Sequence, residues 1–164
     1  MISLCKETDW KASRALLFLD PCATELKWDT LSIVAATKAI DVWYLFPFSA
    51  TQRLLRKDGQ LDESWKKKLN TLLGAEDWYE SFYKEDPQLN LFDDENMIKS
   101  VNTKNLAKYI VSRLSTIFPT VADNPRFLYT NKSPLFLFCF AVSNENKKAA
   151  KIALRIANHI LGSK

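Results

Sequence analysis

The run Leu135–Val142 (LFLFCFAV) carries an apolar side chain at every position, so neither side of the segment suits water. An extended segment alternates its side chains between two faces, and with both faces apolar it reads as a central strand covered on each side. It is far too short to cross a bilayer as a helix. Within PRFLYTNKSPLFLFCFAVSN a polar turn at Asn131, Lys132 and Ser133 separates it from an earlier apolar segment, and the two read as an antiparallel pair.

RALLFLDP, from Arg14 to Pro21, is another short apolar run, and it ends on a carboxylate. It reads as a buried parallel strand, and in open α/β sheets ligands collect at the carboxyl ends of such strands. Asp20 stands at that end. The residues alone leave two readings open: a functional carboxylate, or an Asp-Pro pair that stops the strand and begins a turn. Asp29 is then placed to cap a helix through TLSIVAATKAI, with Leu31, Val34, Ala35 and Ile40 as its buried face. Val42 to Phe48 (VWYLFPF), β-branched and aromatic, reads as a second strand parallel to the first, completing a βαβ unit.

Ser49 can cap a short helix ending near Lys57, after which Asp58 and Gly59 supply a turn. Leu61, Trp65, Leu69, Leu72 and Leu73 recur at helical spacing up to Gly74, and residues 76–83 add a further turn or two. From Lys84 to Glu95 the chain is acidic and irregular. Leu106, Ile110, Leu114 and Ile117 mark an amphipathic helix closed by Pro119, and Ala149, Ala153, Ile156 and Ile160 mark a C-terminal helix stopped at Gly162. The expected class is α/β, a single domain over residues 1–164 with a helical insertion at about 49–118 and a terminal antiparallel hairpin.

A length of 164 residues with 47% hydrophobic composition suits one domain with a sizeable core. The N-terminus lacks the basic leader and apolar core of a signal peptide, which predicts a soluble cytoplasmic protein. Cys5, Cys22 and Cys139 have neither a disulfide framework nor zinc-ligand spacing, so they read as reduced, with no metal. Cys22 as a nucleophile needs a base, and the single histidine, His159, falls in the last turn of the C-terminal helix, where it suits the helix dipole. The net charge of +4 is small but unevenly spread. Arg53, Arg56, Lys57, Lys66, Lys67 and Lys68 precede an acidic stretch, and binding nucleic acid would need several of these cations to converge in space. Gly59, Gly74 and Gly162 stand alone, so no glycine-rich loop follows a strand to cradle a nucleotide or S-adenosylmethionine.

Long ordered blocks carry a resemblance. FLDP, then ATKAID followed by a strand ending in FP, and finally SPLFLFCFAVSN resemble the second half of the three-Cys-motif partner (TcmP) family over nearly the whole chain. The family's name refers to cysteines of its partner, a three-Cys-motif protein. The resemblance implies the C-terminal part of a class I (Rossmann-like) methyltransferase-type sheet, truncated of the half that binds S-adenosylmethionine, so that this chain alone holds no cofactor. It also implies that Asp20, with Pro21 shaping its backbone, faces the methyl acceptor. Cys22, Trp28, Phe46 and Pro47 are the candidate acceptor-binding residues. The family carries an aromatic residue and a glycine after Asp-Pro, where this chain has Cys22 and Ala23.

PQLNLFDD stands apart. Gln88, Leu89, Leu91 and Phe92 resemble the QLxLF peptide by which bacterial proteins dock on the DNA sliding clamp. Leu91 and Phe92 pinning a loop to the core is the plainer alternative. The expected function is therefore the acceptor-side half of a methyltransferase, with a non-catalytic interaction module as the alternative.

Overall fold

The computed structural model describes residues 2–85 and 97–162. The apolar run near the end of the chain lies within β7 (Ser133–Val142), the longest strand. Along one edge it pairs antiparallel with β2 (Ile40–Phe46), Val42 opposite Ala141 and Phe46 opposite Leu137. Along the other edge β5 (Thr120–Val121) and β6 (Arg126–Thr130) follow one another, with Thr120 opposite Val142 and Arg126 opposite Phe138. β1 (Ala15–Leu19) pairs parallel with β2, Ala15 opposite Ile40 and Leu19 opposite Tyr44. The expected central strand, parallel βαβ unit and antiparallel hairpin are all present in this mixed sheet. β1, however, is an edge strand with Leu16 and Phe18 exposed rather than the buried strand expected, because no described helix covers that part of its face.

Alternation along the strands separates two layers. Leu19, Val42, Tyr44, Phe46, Leu137, Cys139 and Ala141 belong to the main core. It is built with residues of α2 (Trp28–Ala36), α3 (Phe48–Leu54), α4 (Glu63–Leu73), α5 (Trp78–Phe82) and α6 (Thr103–Leu114). On the other face Trp43, Phe140 and Val142 meet Ala150, Ala157 and Leu161 of α7 (Lys147–Gly162). Trp43 lies 4.6 Å from Phe138 and 4.5 Å from Phe140, ring centre to ring centre. A short helix, α1 (Ile2–Glu7), packs against α2.

Local chemistry moves some boundaries. α2 starts at Trp28 behind Lys27, so Asp29 is inside the first turn rather than capping it, where its carboxylate still complements the helix dipole. Ile40 is not on that helix but begins β2, because Thr37 and a left-handed Lys38 (φ +55°) turn the chain. Pro47, not Ser49, precedes α3. Gly74 closes α4 at φ +61°, and a Cβ there would collide with the Trp28 ring. A separate ladder of β3 (Tyr83–Glu85) and β4 (Met97–Lys99) was not anticipated. Among the described residues no helix is long and apolar enough to cross a membrane.

Candidate functional site

Parallel pairing brings the carboxyl ends of β1 and β2 to the same end of the sheet. Since Leu19 lies opposite Tyr44, Asp20 and Pro21 leave the ladder beside Leu45 and Phe46. Asp20 is exposed, and its carboxylate has no hydrogen bond or ion pair among the described residues. Pro21 is half-buried, and Cys22 is exposed as a free thiol. Ala23 takes a left-handed φ of +49°, uncommon for a residue with a Cβ, and the Glu25 N–H closes the turn onto the Cys22 carbonyl at 3.2 Å. Glycine would take that conformation without strain.

The other candidate residues divide by burial. Phe46 is in the core, edge-to-face with Tyr44 at 5.9 Å. The buried Pro47 presents its carbonyl to the N–H and the hydroxyl of Thr51, each at 3.0 Å, which fixes the start of α3. Trp28 is buried too, with the Arg113 guanidinium 5.1 Å over its ring. Arg113 also donates to the carbonyls of Leu73 and Gly74, tying α6 to the end of α4. The geometry gives Phe46, Pro47 and Trp28 these structural contacts, while Asp20 and Cys22 face solvent. Gln88, Leu89, Leu91 and Phe92 lie outside the described residues.

A cleft of about 210 Å³ is lined by Thr24 of the β1–α2 loop, Ala50, Arg53 and Leu54 from α3, and Trp65 and Lys68 from α4. Of the basic stretch, two cations converge here. Arg56 is instead engaged with Asp58 at 2.7 Å, Lys66 with Glu63 at 3.0 Å, and Lys67 borders a different hollow. A larger hollow of about 590 Å³ along α7 is lined by that helix alone.

Two features escaped sequence reasoning. Tyr44 is buried with its hydroxyl unpartnered among the described residues, and burial pushes its pKa above the ordinary tyrosine value. Burial likewise raises the thiol of Cys139, opposite it on β7, to about 12, leaving an unreactive neutral group. Asp41 accepts from the Ser143 N–H at 3.0 Å, and the Ser143 hydroxyl donates to the Ile40 carbonyl at 2.8 Å, locking the start of β2 to the end of β7. Only hydrophobic patterning was legible there, and neither feature leaves a pattern of that kind. Among the described residues no cluster of three or more histidine, cysteine or acidic side chains could hold a metal ion. No family model matches this chain, and no curated protein or solved structure does.

Proposed function

We propose that this chain is the acceptor-side half of an S-adenosylmethionine-dependent methyltransferase of the three-Cys-motif partner kind, with Asp20 facing the methyl acceptor. The observation that carries the reading is an exposed carboxylate, unengaged among the described residues, immediately beyond β1 where two parallel strands end together. A sheet begun by β1 and completed by the β6–β7 hairpin is the arrangement the resemblance implies. Asp20 accepts a hydrogen bond from an acceptor N–H or O–H, aims its lone pair at the methyl group and offsets the developing positive charge.

The described residues do not fit a seat for the cofactor. Gly59 serves a turn and Gly74 a helix end, Gly162 sits in the last turn of α7, and none follows a strand. S-adenosylmethionine supplies the methyl group once bound by a cofactor half, and this chain's own contribution is confined to the acceptor. A nucleic-acid acceptor would find Arg53 and Lys68 in the neighbouring cleft. A three-Cys-motif protein partner follows from the same resemblance, and a cytoplasmic location is proposed with it.

Isothermal titration of S-adenosylmethionine into the chain, with and without the segment encoded immediately upstream, tests the reading. Binding is expected only with the added segment. In the reconstituted enzyme Asp20→Asn should slow methyl transfer by roughly 10²-fold or more while cofactor binding stays unchanged. Undiminished transfer in that variant would remove Asp20 from the reaction. A second reading, an interaction module, is favoured by the edge of β1, bare among the described residues, where Leu16 and Phe18 are exposed. Sliding-clamp docking through Gln88, Leu89, Leu91 and Phe92 belongs to that reading and rests on sequence alone.

A further inference from the structure

We infer that two copies of this chain associate through the free edge of β1, antiparallel about a two-fold axis at Leu17. Among the described residues β1 ends the order β1-β2-β7-β5 and has a free edge, and from Ala15 to Leu19 it contains no charge and no proline. Natural edge strands are usually blunted by a lysine, a proline or a bulge. Main-chain direction decides which residues can pair there. The Ala15 N–H donates to the Ala39 carbonyl at 3.0 Å, toward β2. In a parallel ladder alternate residues turn both main-chain groups the same way, so Leu16 and Phe18 turn theirs to the free edge. Their side chains stand on the α7 side of the sheet, 65% and 58% exposed, with the Phe18 ring 6.2 Å from Phe138.

The charges flanking the strand select the register. A symmetric antiparallel pair must set edge-directed residues opposite one another, which leaves centres at Leu16, Leu17 or Phe18. Centred on Leu16, Arg14 meets Phe18 of the second copy, and centred on Phe18 it meets Cys22. Centred on Leu17, Arg14 meets Asp20 at both ends of the ladder, and Leu16 meets Phe18 on the same face. The parts are available. Arg14 uses Nη1 on the Trp10 and Ser13 carbonyls, leaving Nε and Nη2 for a carboxylate, and Asp20 has no partner among the described residues. The axis is perpendicular to the sheet, so both α7 helices stay on one side, where Ile152 and Ile156 are also exposed.

This dimer does not rest on the methyltransferase reading, but the two meet at Asp20. An aspartate held by Arg14 of the second copy cannot also receive an acceptor.

Sedimentation equilibrium on the full chain is expected to give twice 18.9 kDa. Arg14→Asp or Asp20→Arg alone should raise the dimer dissociation constant by roughly 10- to 100-fold, since each places like charges at both ends of the ladder. Combining them should restore association, with thermal melts showing that all variants fold. Register is read in a Cys22→Ser background, where Leu17→Cys should give a disulfide-linked dimer on mild oxidation and Ala15→Cys should not. A wild-type monomer at every soluble concentration, a charge swap without rescue, or cross-linking at Ala15 instead of Leu17 would overturn the proposal.

Discussion

The two faces of the sheet are made from the same strands and share little else. On one, Leu19, Tyr44, Phe46, Leu137 and Cys139 are sealed in the main core. On the other, α7 covers Trp43 and Phe140 but leaves Leu16 and Phe18 to solvent, although they alternate with Leu17 and Leu19 along a single five-residue strand. Burial is thus decided by which helix lies overhead, not by how apolar a strand is. The covered face holds the stability, and the bare margin at β1 holds the groups still available for binding: Arg14, Leu16, Phe18 and Asp20.

Thiol chemistry should separate the two regions most widely. Cys22 should react with a thiol reagent in the native protein, whereas Cys139, buried and held neutral by a pKa pushed up to about 12, waits for global opening. Its labelling should be slower by about 10³-fold or more, and equal rates would dissolve the contrast. Large-to-small substitution comes next. Phe48→Ala, fully buried against Phe127 at 5.0 Å, should cost about 3–5 kcal/mol in urea unfolding, and Phe18→Ala less than about 1 kcal/mol in the monomer.

High pH should act on the covered side as well. Burial, then Tyr79 and Asp58, raise the Tyr83 phenol to about 12 from an ordinary value of 10.0, and its neutral hydroxyl donates to the Arg56 carbonyl at 2.9 Å. A raised folded-state value favours the protonated form. The associated stability is therefore intact below pH 10.0 and lost as pH climbs toward about 12. Tyr83→Phe should remove its share of that alkaline loss, with Tyr109 and Cys139, also raised to about 12, keeping theirs, while costing about 1 kcal/mol at neutral pH. Tyr44→Phe is the smallest and has the opposite sign. Removing an unpartnered buried hydroxyl should leave stability unchanged or raise it by about 1 kcal/mol, and a loss would mean that the hydroxyl has an unseen partner.

What was legible in the sequence follows the physics of period. Leu135–Val142 announces a central strand because both faces are apolar, and Leu69, Leu72 and Leu73 announce a helix ended by Gly74. The start of β2 at Ile40 was missed because Ile40 also fits the helical period of α2. β3, β4 and β5, two or three residues each, are too short to carry a period at all. At the candidate site the chain's own grammar pointed to Asp20 as a strand end. The roles of Trp28 and Pro47 depend on Arg113 and Thr51, which are distant or on the next turn, and only coordinates bring them together. The match of Arg14 with Asp20 was equally hidden, because it has meaning only once β1 is known to be an edge.

The place of β7 also governs when the molecule can exist. Of this sheet's described strands the last to be synthesised is the one that joins β2 to β5 and β6, so before it emerges the nascent chain can zip β1 to β2 but no more of this sheet. Until Ser133–Val142 has left the ribosome, the aromatic flank of β2 is itself an unpaired border, on a polypeptide already rich in apolar segments. Until then a vulnerable interval persists in which chaperone capture, or capture by another nascent chain, competes with closure of the sheet.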